Sequence, residues 1–204
     1  MSRRRALTAV NVADQSDPTQ RRNLILQINV SLDGFFEGPN AELGWFAFDE
    51  ANQAYVEKRL NNAGGILLGG RAYRVLERYW PSATGRLAPQ MNGSPEYVFS
   101  RTLQNPTWNN TTVFRGSPGA EVTQLKKRSG KDLVLLAGAE IARALKAADV
   151  IDEYCVFIYP VVLGSGKPLF VTGAEKRELR FVRAQTFGES GVVMLNYQPR
   201  RGSL

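Results

Sequence analysis

The chain of 204 residues contains no histidine. That absence excludes Ser-His-Asp and Cys-His triads, imidazole zinc sites and an imidazole general base, and no metal is expected. Proton transfer then falls to carboxylates, tyrosine, lysine, the substrate or water. Cysteine occurs once, as Cys155 between Tyr154 and Val156. An internal disulfide is therefore impossible, and a thiol within an apolar strand reads as a small core residue rather than a nucleophile. No apolar run approaches the ~20 residues of a membrane span. After Arg3-Arg4-Arg5 only Ala6 to Val10 precede Asn11, Asp14, Gln15 and Asp17, which leaves no hydrophobic segment for a secretory signal. A cytoplasmic protein with no membrane partner is the expectation.

Lysine and arginine number 26 against 19 acidic residues, a net charge of +7. Arg3, Arg4, Arg5, Arg21 and Arg22 cluster near the start, and Arg200 and Arg201 near the finish. A basic balance suits nucleic acid, but equally an anionic small molecule such as a phosphorylated cofactor, so charge alone does not choose. Residues 1–22 lack sustained periodicity and are expected to form a flexible basic arm, 23–199 a single domain, and 200–204 a tail.

The most informative stretch runs from Asp132 to Phe170. Leu133 to Leu136 is an apolar run too short for a helix, so it reads as a buried strand ending in the small turn Ala137-Gly138-Ala139. Ile141, Ala144, Leu145 and Ala148 then repeat at helical spacing, with Glu140, Arg143, Lys146 and Asp149 on the opposite side. Tyr154 to Tyr159 is a second strand, which completes a βαβ unit. Small residues at a strand-to-helix turn let a phosphate approach unpaired N–H groups, although the same turn also serves for tight packing alone.

Earlier in the chain, Leu24 to Val30 is a strand that runs into the loop Ser31 to Asn40, which carries Asp33. Trp45, Phe46 and Phe48 can wall a flat pocket or simply pack in the core, and Asp49 caps a helix reaching to about Asn62. Ile66 to Leu68 is a strand ended by Gly69-Gly70. Arg71 opens a helix with an expected stripe of Ala72, Val75, Leu76 and Tyr79. Trp80 to Pro95 reads as loop, and Tyr97 to Phe99 as a strand ending at Ser100-Arg101-Thr102, a cation between two hydroxyls that suits a phosphate monoester or a solvated turn. Thr111 to Phe114 is another strand, Ser117-Pro118 begins a helix to Arg128, and Leu179 to Phe187 with Val192 to Gln198 forms an antiparallel hairpin. About eight strands and four helices follow, an α/β arrangement whose three strand-to-helix turns can share one carboxyl edge.

These residues resemble the reductase domain of riboflavin biosynthesis, which has the dihydrofolate reductase-like fold. The resemblance is carried by Val150-Ile151-Asp152-Glu153 and Pro160 to Phe170, with support from Ser31 to Gly34, Leu67 to Gly69, Phe99 to Leu103 and Ala137-Gly138. It implies three layers: a central mixed, mostly parallel sheet of about eight strands with a C-terminal antiparallel hairpin, and helices on both faces. It also implies NADPH as cofactor, a homodimer through the sheet edge, and hydride transfer to a C=N or C=O bond of a pyrimidine, pteridine or ribosylamine substrate. The resemblance assigns Gly69, Gly70, Arg71 and Ala72 to the pyrophosphate and Ser100, Arg101 and Thr102 to the 2′-phosphate. Ala137, Gly138, Ala139 and Glu140 would close over the pyrophosphate and nicotinamide side. Asn29, Trp45 and Phe46 would face the substrate, and Asp33 would orient it or a proton-delivering water. The family pattern G-R-x-T-Y is here Gly69-Gly70-Arg71-Ala72-Tyr73, and its usual Gly-Gly is Ala137-Gly138. A non-catalytic nucleotide-binding protein of the same fold, or a nucleic-acid binder using the basic arm, are the alternatives.

Overall fold

A computed structural model describes residues 21–40, 42–46, 49–108, 110–170 and 176–200. Most of the expected arm, Phe48 and the end of the tail lie outside them. Strand β1 (Leu24–Ser31) occupies the centre of an eight-stranded sheet, hydrogen-bonded in parallel to β6 (Leu133–Ala137) on one side and β7 (Glu153–Tyr159) on the other. Beyond β6 come β3 (Gly65–Gly69), β4 (Glu96–Phe99) and β5 (Thr111–Phe114), all parallel. Beyond β7 lie β10 (Val192–Pro199) and the edge strand β9 (Leu179–Phe187), the expected antiparallel hairpin. The order is therefore β5-β4-β3-β6-β1-β7-β10-β9. A separate two-stranded ribbon joins β2 (Phe35–Glu37) to β8 (Lys167–Pro168), so the Ser31–Asn40 loop holds a short strand that its glycines had hidden.

Strand alternation sends side chains to two cores. Leu24, Leu26, Leu67, Leu133 and Leu135 pack against α4 (Pro118–Lys127) and α5 (Ala139–Ala147), through Val122, Leu125, Ile141 and Leu145. On the other face, Ile25, Ile66, Leu68, Val98 and Phe157 meet α1 (Glu50–Asn61), α2 (Gly70–Leu76) and α3 (Ala88–Gly93). Asp49 caps α1 as expected, its Oδ1 accepting from the Asn52 N–H at 2.6 Å. The helix after Gly69 differs from expectation. It stops at Leu76, Val75 is 63 % exposed and Tyr79 60 %, and Tyr73 is the buried residue. Residues 80–95, read as loop, contain a 3₁₀ turn at Trp80–Ser82 and α3.

Arg22 departs from the arm to which its charge assigned it. It is 5 % exposed, and its Nε and Nη2 donate to the carbonyls of Lys131 (2.7 Å) and Gly64 (2.6 Å). Two acids in the Val150-Ile151-Asp152-Glu153 motif likewise serve the framework. Asp152 Oδ2 accepts from Leu24 N (2.8 Å) and from the buried Lys126, whereas Glu153 Oε1 accepts from Arg59 (3.1 Å) and Asn196 (2.9 Å). The most recognisable sequence signature thus fastens β7 to its neighbours at the end of the sheet away from the glycine turns.

Candidate functional site

Because β5, β4, β3 and β6 are parallel and adjacent, their carboxyl ends open side by side. A crevice of about 290 Å³ lies among them. Gly69, Gly70, Arg71 and Ala72 form one wall, Ser100 and Arg101 a second, Gly138, Ala139 and Glu140 a third. Ala137 ends β6, and Thr102 is not among the described residues that line the crevice. The Thr102 N–H instead donates to Ser100 Oγ at 3.3 Å, alongside Leu103 N–H at 3.0 Å.

The glycines are required by close approach. A Cβ on Gly138, whose φ is +114°, would stand 3.0 Å from Gly69 N and 2.7 Å from an Ile141 methyl. One on Gly70 would stand 2.6 Å from Ser100 Oγ. The turns after β3, β4 and β6 therefore interlock, and their glycines border the crevice.

Sequence reasoning missed a fourth wall. Arg115, Gly116 and Pro118, in the turn from β5 into α4, also line the crevice, above the stacked rings of Phe99 and Phe114 (5.4 Å, 25°). Arg115 Nη1 donates to the carbonyls of Ser100 (3.3 Å) and Leu103 (3.0 Å), which holds its guanidinium beside Arg101. The signal was available, since Thr111–Phe114 and Ser117-Pro118 flank Arg115-Gly116 in the same strand, small turn, helix order. Three arginines and one carboxylate, Glu140, thus face the cavity, a net positive lining suited to an anion.

Next to β6 along the same edge, β1 carries one of the expected substrate residues, Asn29. Asn29 is half-buried and shares the α1 side of the sheet with Ile25. Trp45 and Phe46 pack edge-on at 5.0 Å, and both contact Tyr159 at the end of β7 (5.8 and 5.7 Å), so they form an aromatic cluster continuous with the core. Beneath it the fully buried Asn52 donates to the Tyr159 hydroxyl at 3.4 Å, and burial pushes that phenol up to about 12.

Asp33 is clasped. Its Oδ1 accepts from Ser31 Oγ (2.6 Å) and Leu163 N (3.1 Å), its Oδ2 from Gly164 N (2.7 Å). The Ser31 hydroxyl chiefly, opposed by desolvation and assisted by the two amides, holds this carboxyl below the ordinary aspartate range. Asp49 is held low in the same way, by Ser190 and the Asn52 amide. Both acids are ionised at neutral pH, so neither carries a proton to donate. Among the described residues no cluster of three potential metal ligands occurs, and no helix is long and apolar enough to cross a membrane.

The family model of the RibD C-terminal domain matches residues 22–193. The chain belongs to the RibD C-terminal domain family. Two Bacillus subtilis relatives, the uncharacterized proteins YyaP and YwjB, are 35 % and 27 % identical to this chain. The alignments cover 87 % and 86 % of this chain and 95 % and 97 % of theirs. Among solved structures, a putative riboflavin biosynthesis protein from Shewanella sp. PV-4 superposes with TM-score 0.71 at 17 % identity, over 88 % of this chain and 99 % of that one. A deaminase/5-amino-6-(5-phosphoribosylamino)uracil reductase from Thermotoga maritima gives 0.66 at 16 %, over 88 % of this chain and 57 % of its own. A pyrimidine reductase-like protein from Corynebacterium diphtheriae gives 0.63 at 13 %, over 89 % and 93 %. The fold is accordingly dihydrofolate reductase-like, as the RibD reductase signature implied.

Proposed function

We propose that this RibD-family chain is an NADPH-dependent reductase that delivers hydride to a C=N or C=O bond of a pyrimidine, pteridine or ribosylamine, a reaction of the 5-amino-6-(5-phosphoribosylamino)uracil reductase type. The observation that carries the reading is the single crevice onto which four parallel strand ends open, lined by glycines and by Arg71, Arg101 and Arg115. Those residues fit a dinucleotide phosphate: glycines at 70 and 138 let the turns after β3, β4 and β6 close on one another, so backbone borders the crevice, and the guanidiniums match phosphate oxygens. Bound there, NADPH would supply the hydride.

The rest of the task belongs to the chain. Arg101 and Arg115, with Ser100, would grip the 2′-phosphate, and Gly69 to Ala72 with Gly138 to Glu140 would flank the pyrophosphate. Asn29 and the cluster of Trp45 and Phe46 would border the acceptor and keep water out, so that the reacting carbons meet at ~3 to 3.5 Å. Asp33 acts as a positioning residue, because its ionised carboxylate ties the substrate-side loops together.

Calorimetric titration with NADPH, run alongside an oxidation assay on candidate pyrimidines and pterins, tests the reading. Binding without turnover on any of them would favour a non-catalytic nucleotide-binding protein. Arg101→Ala is expected to weaken NADPH by about tenfold, the worth of a charge-assisted contact, while leaving NADH nearly unaffected. Equal losses for both cofactors would remove the 2′-phosphate assignment.

A cytoplasmic homodimer belongs to the same proposal. On the face that α4 and α5 cover near β1 and β6, the outer strands leave Val156, Ile158, Val193 and Leu195 half-buried, and the β9 residue Phe181 is 55 % exposed. A second copy covering that apolar surface would bury it. Leu195→Glu should then convert a dimer to a monomer in sedimentation equilibrium, and a wild-type monomer at micromolar concentration would refute the assembly.

A further inference from the structure

This inference rests on the crevice being the cofactor site, and concerns what stands in it beforehand. Arg71, in the first turn of α2, and Glu140, in the first turn of α5, line facing walls, and Arg71 Nη2 donates to Glu140 Oε1 at 2.5 Å. Their side chains are 74 % and 76 % exposed, so packing does not pin the pair. The walls are fixed by the Gly69 and Gly138 backbones, which leave no room even for a methyl between them. The two charged groups therefore span the opening as a removable bar on a rigid frame.

Charge and place give the bar its meaning. Among the described residues Glu140 is the only acid that lines the crevice, whereas Arg71, Arg101 and Arg115 are cations. No side chain caps the N-terminus of α5, so the carboxylate of Glu140 occupies the region where unpaired amides and the helix dipole favour an anion. Its partner guanidinium is the one that the crevice offers on the pyrophosphate side. A carboxylate and a phosphate brought to one guanidinium repel each other, and an exposed ion pair is weak enough for a phosphate to displace.

We propose that Glu140 is an intramolecular competitor for the cofactor phosphate: it occupies Arg71 in the free protein and must swing out before the pyrophosphate can take its place. The arrangement lowers cofactor affinity and makes it depend on ionic strength through one identifiable residue. It also speeds release of the spent cofactor, since the competing carboxylate is tethered beside the site.

The test is calorimetric titration of the full chain with NADPH at low and high salt. Glu140→Gln should tighten binding about fivefold at low salt, the scale of an exposed ion pair, and Glu140→Lys somewhat further. The gain should shrink toward unity at ~0.5 M salt, where exposed charges are screened. A merely structural role for Glu140 would show as a salt-independent change and a lowered Tm in both variants, and would overturn the proposal, as would unchanged or weaker NADPH binding by Glu140→Gln while wild type binds well. If neither wild type nor variants bind NADPH, the cofactor reading fails first and the competitor role with it.

Discussion

Replacing Lys126 by methionine should lower the free energy of unfolding by about 3–5 kcal/mol, the usual cost of removing one partner from a buried ion pair. Lys126 is 1 % exposed within α4, and its ammonium donates to the Val150 carbonyl at 2.9 Å as well as to Asp152. Asp152 in turn accepts from the Leu24 amide at the start of β1. The ammonium thus ties a helix to two strands, and its loss leaves a carboxylate at 15 % exposure without its counter-charge. Urea denaturation followed by circular dichroism measures the effect. Adding Asp152→Asn should restore part of the loss, since contacting charges are strongly non-additive. A single-mutant loss below about 1 kcal/mol would mean that the pair is neutral to the fold, as some buried pairs are against apolar replacements.

Glu96 should make stability fall as pH rises, a direction opposite to that of most acidic residues. It is fully buried in β4, its Oε2 accepts only from Thr111 Oγ1 (3.2 Å), and Oε1 has no partner. Burial, partly offset by that hydroxyl, pushes the carboxyl up to about 8. In the unfolded chain a glutamate titrates near ~4.3, so between these values the folded protein holds a proton that the unfolded chain has lost. The contribution is fully present below about pH 4 and is lost as pH climbs through the folded value near 8. Across that window the decline is on the order of 3–5 kcal/mol. Glu96→Gln should flatten the slope and stabilise the protein at pH 8 and above. A wild-type curve that rises or stays level from pH 5 to 8, with the variant parallel to it, would show that the carboxylate is ionised in the fold.

The βαβ segment from Leu133 to Tyr159 was legible because its period changes are local: two apolar runs of strand length enclose one helical stripe, with Ile141 and Leu145 buried where expected. The seven residues of α2 were not. A helix so short is placed by one large contact, and Tyr73 supplies it, packing against Trp108 and accepting its N–H at 3.1 Å, which overrides the stripe through Val75 and Tyr79. Helix α3 was hidden because Pro89 near its start and Gly93 at its end are breakers in composition yet tolerated at helix termini.

In the site, the glycine turns after β3 and β6 were legible as turns, because small residues at a strand end mark a close approach, whether of a ligand or of a neighbouring turn. The turn at Arg115-Gly116 carried the same strand, turn, helix order, but its place next to the β4 turn follows only from the pairing of β4 with β5. Asp33 needed more still. Its amide partners lie about 130 residues away, and nothing local distinguishes a carboxylate that greets a ligand from one that ties two loops together.

The central place of β1 has a consequence for how the protein comes into being. The first of the described strands must wait for both neighbours, β6 and β7, which begin 109 and 129 residues after it, at Leu133 and Glu153 against Leu24. At the ~5–20 residues per second of translation, Leu24 to Ser31 spend several seconds as an apolar segment with two bare edges. Chaperone occupancy on a stalled nascent chain should therefore persist until Tyr159 has cleared the ribosome.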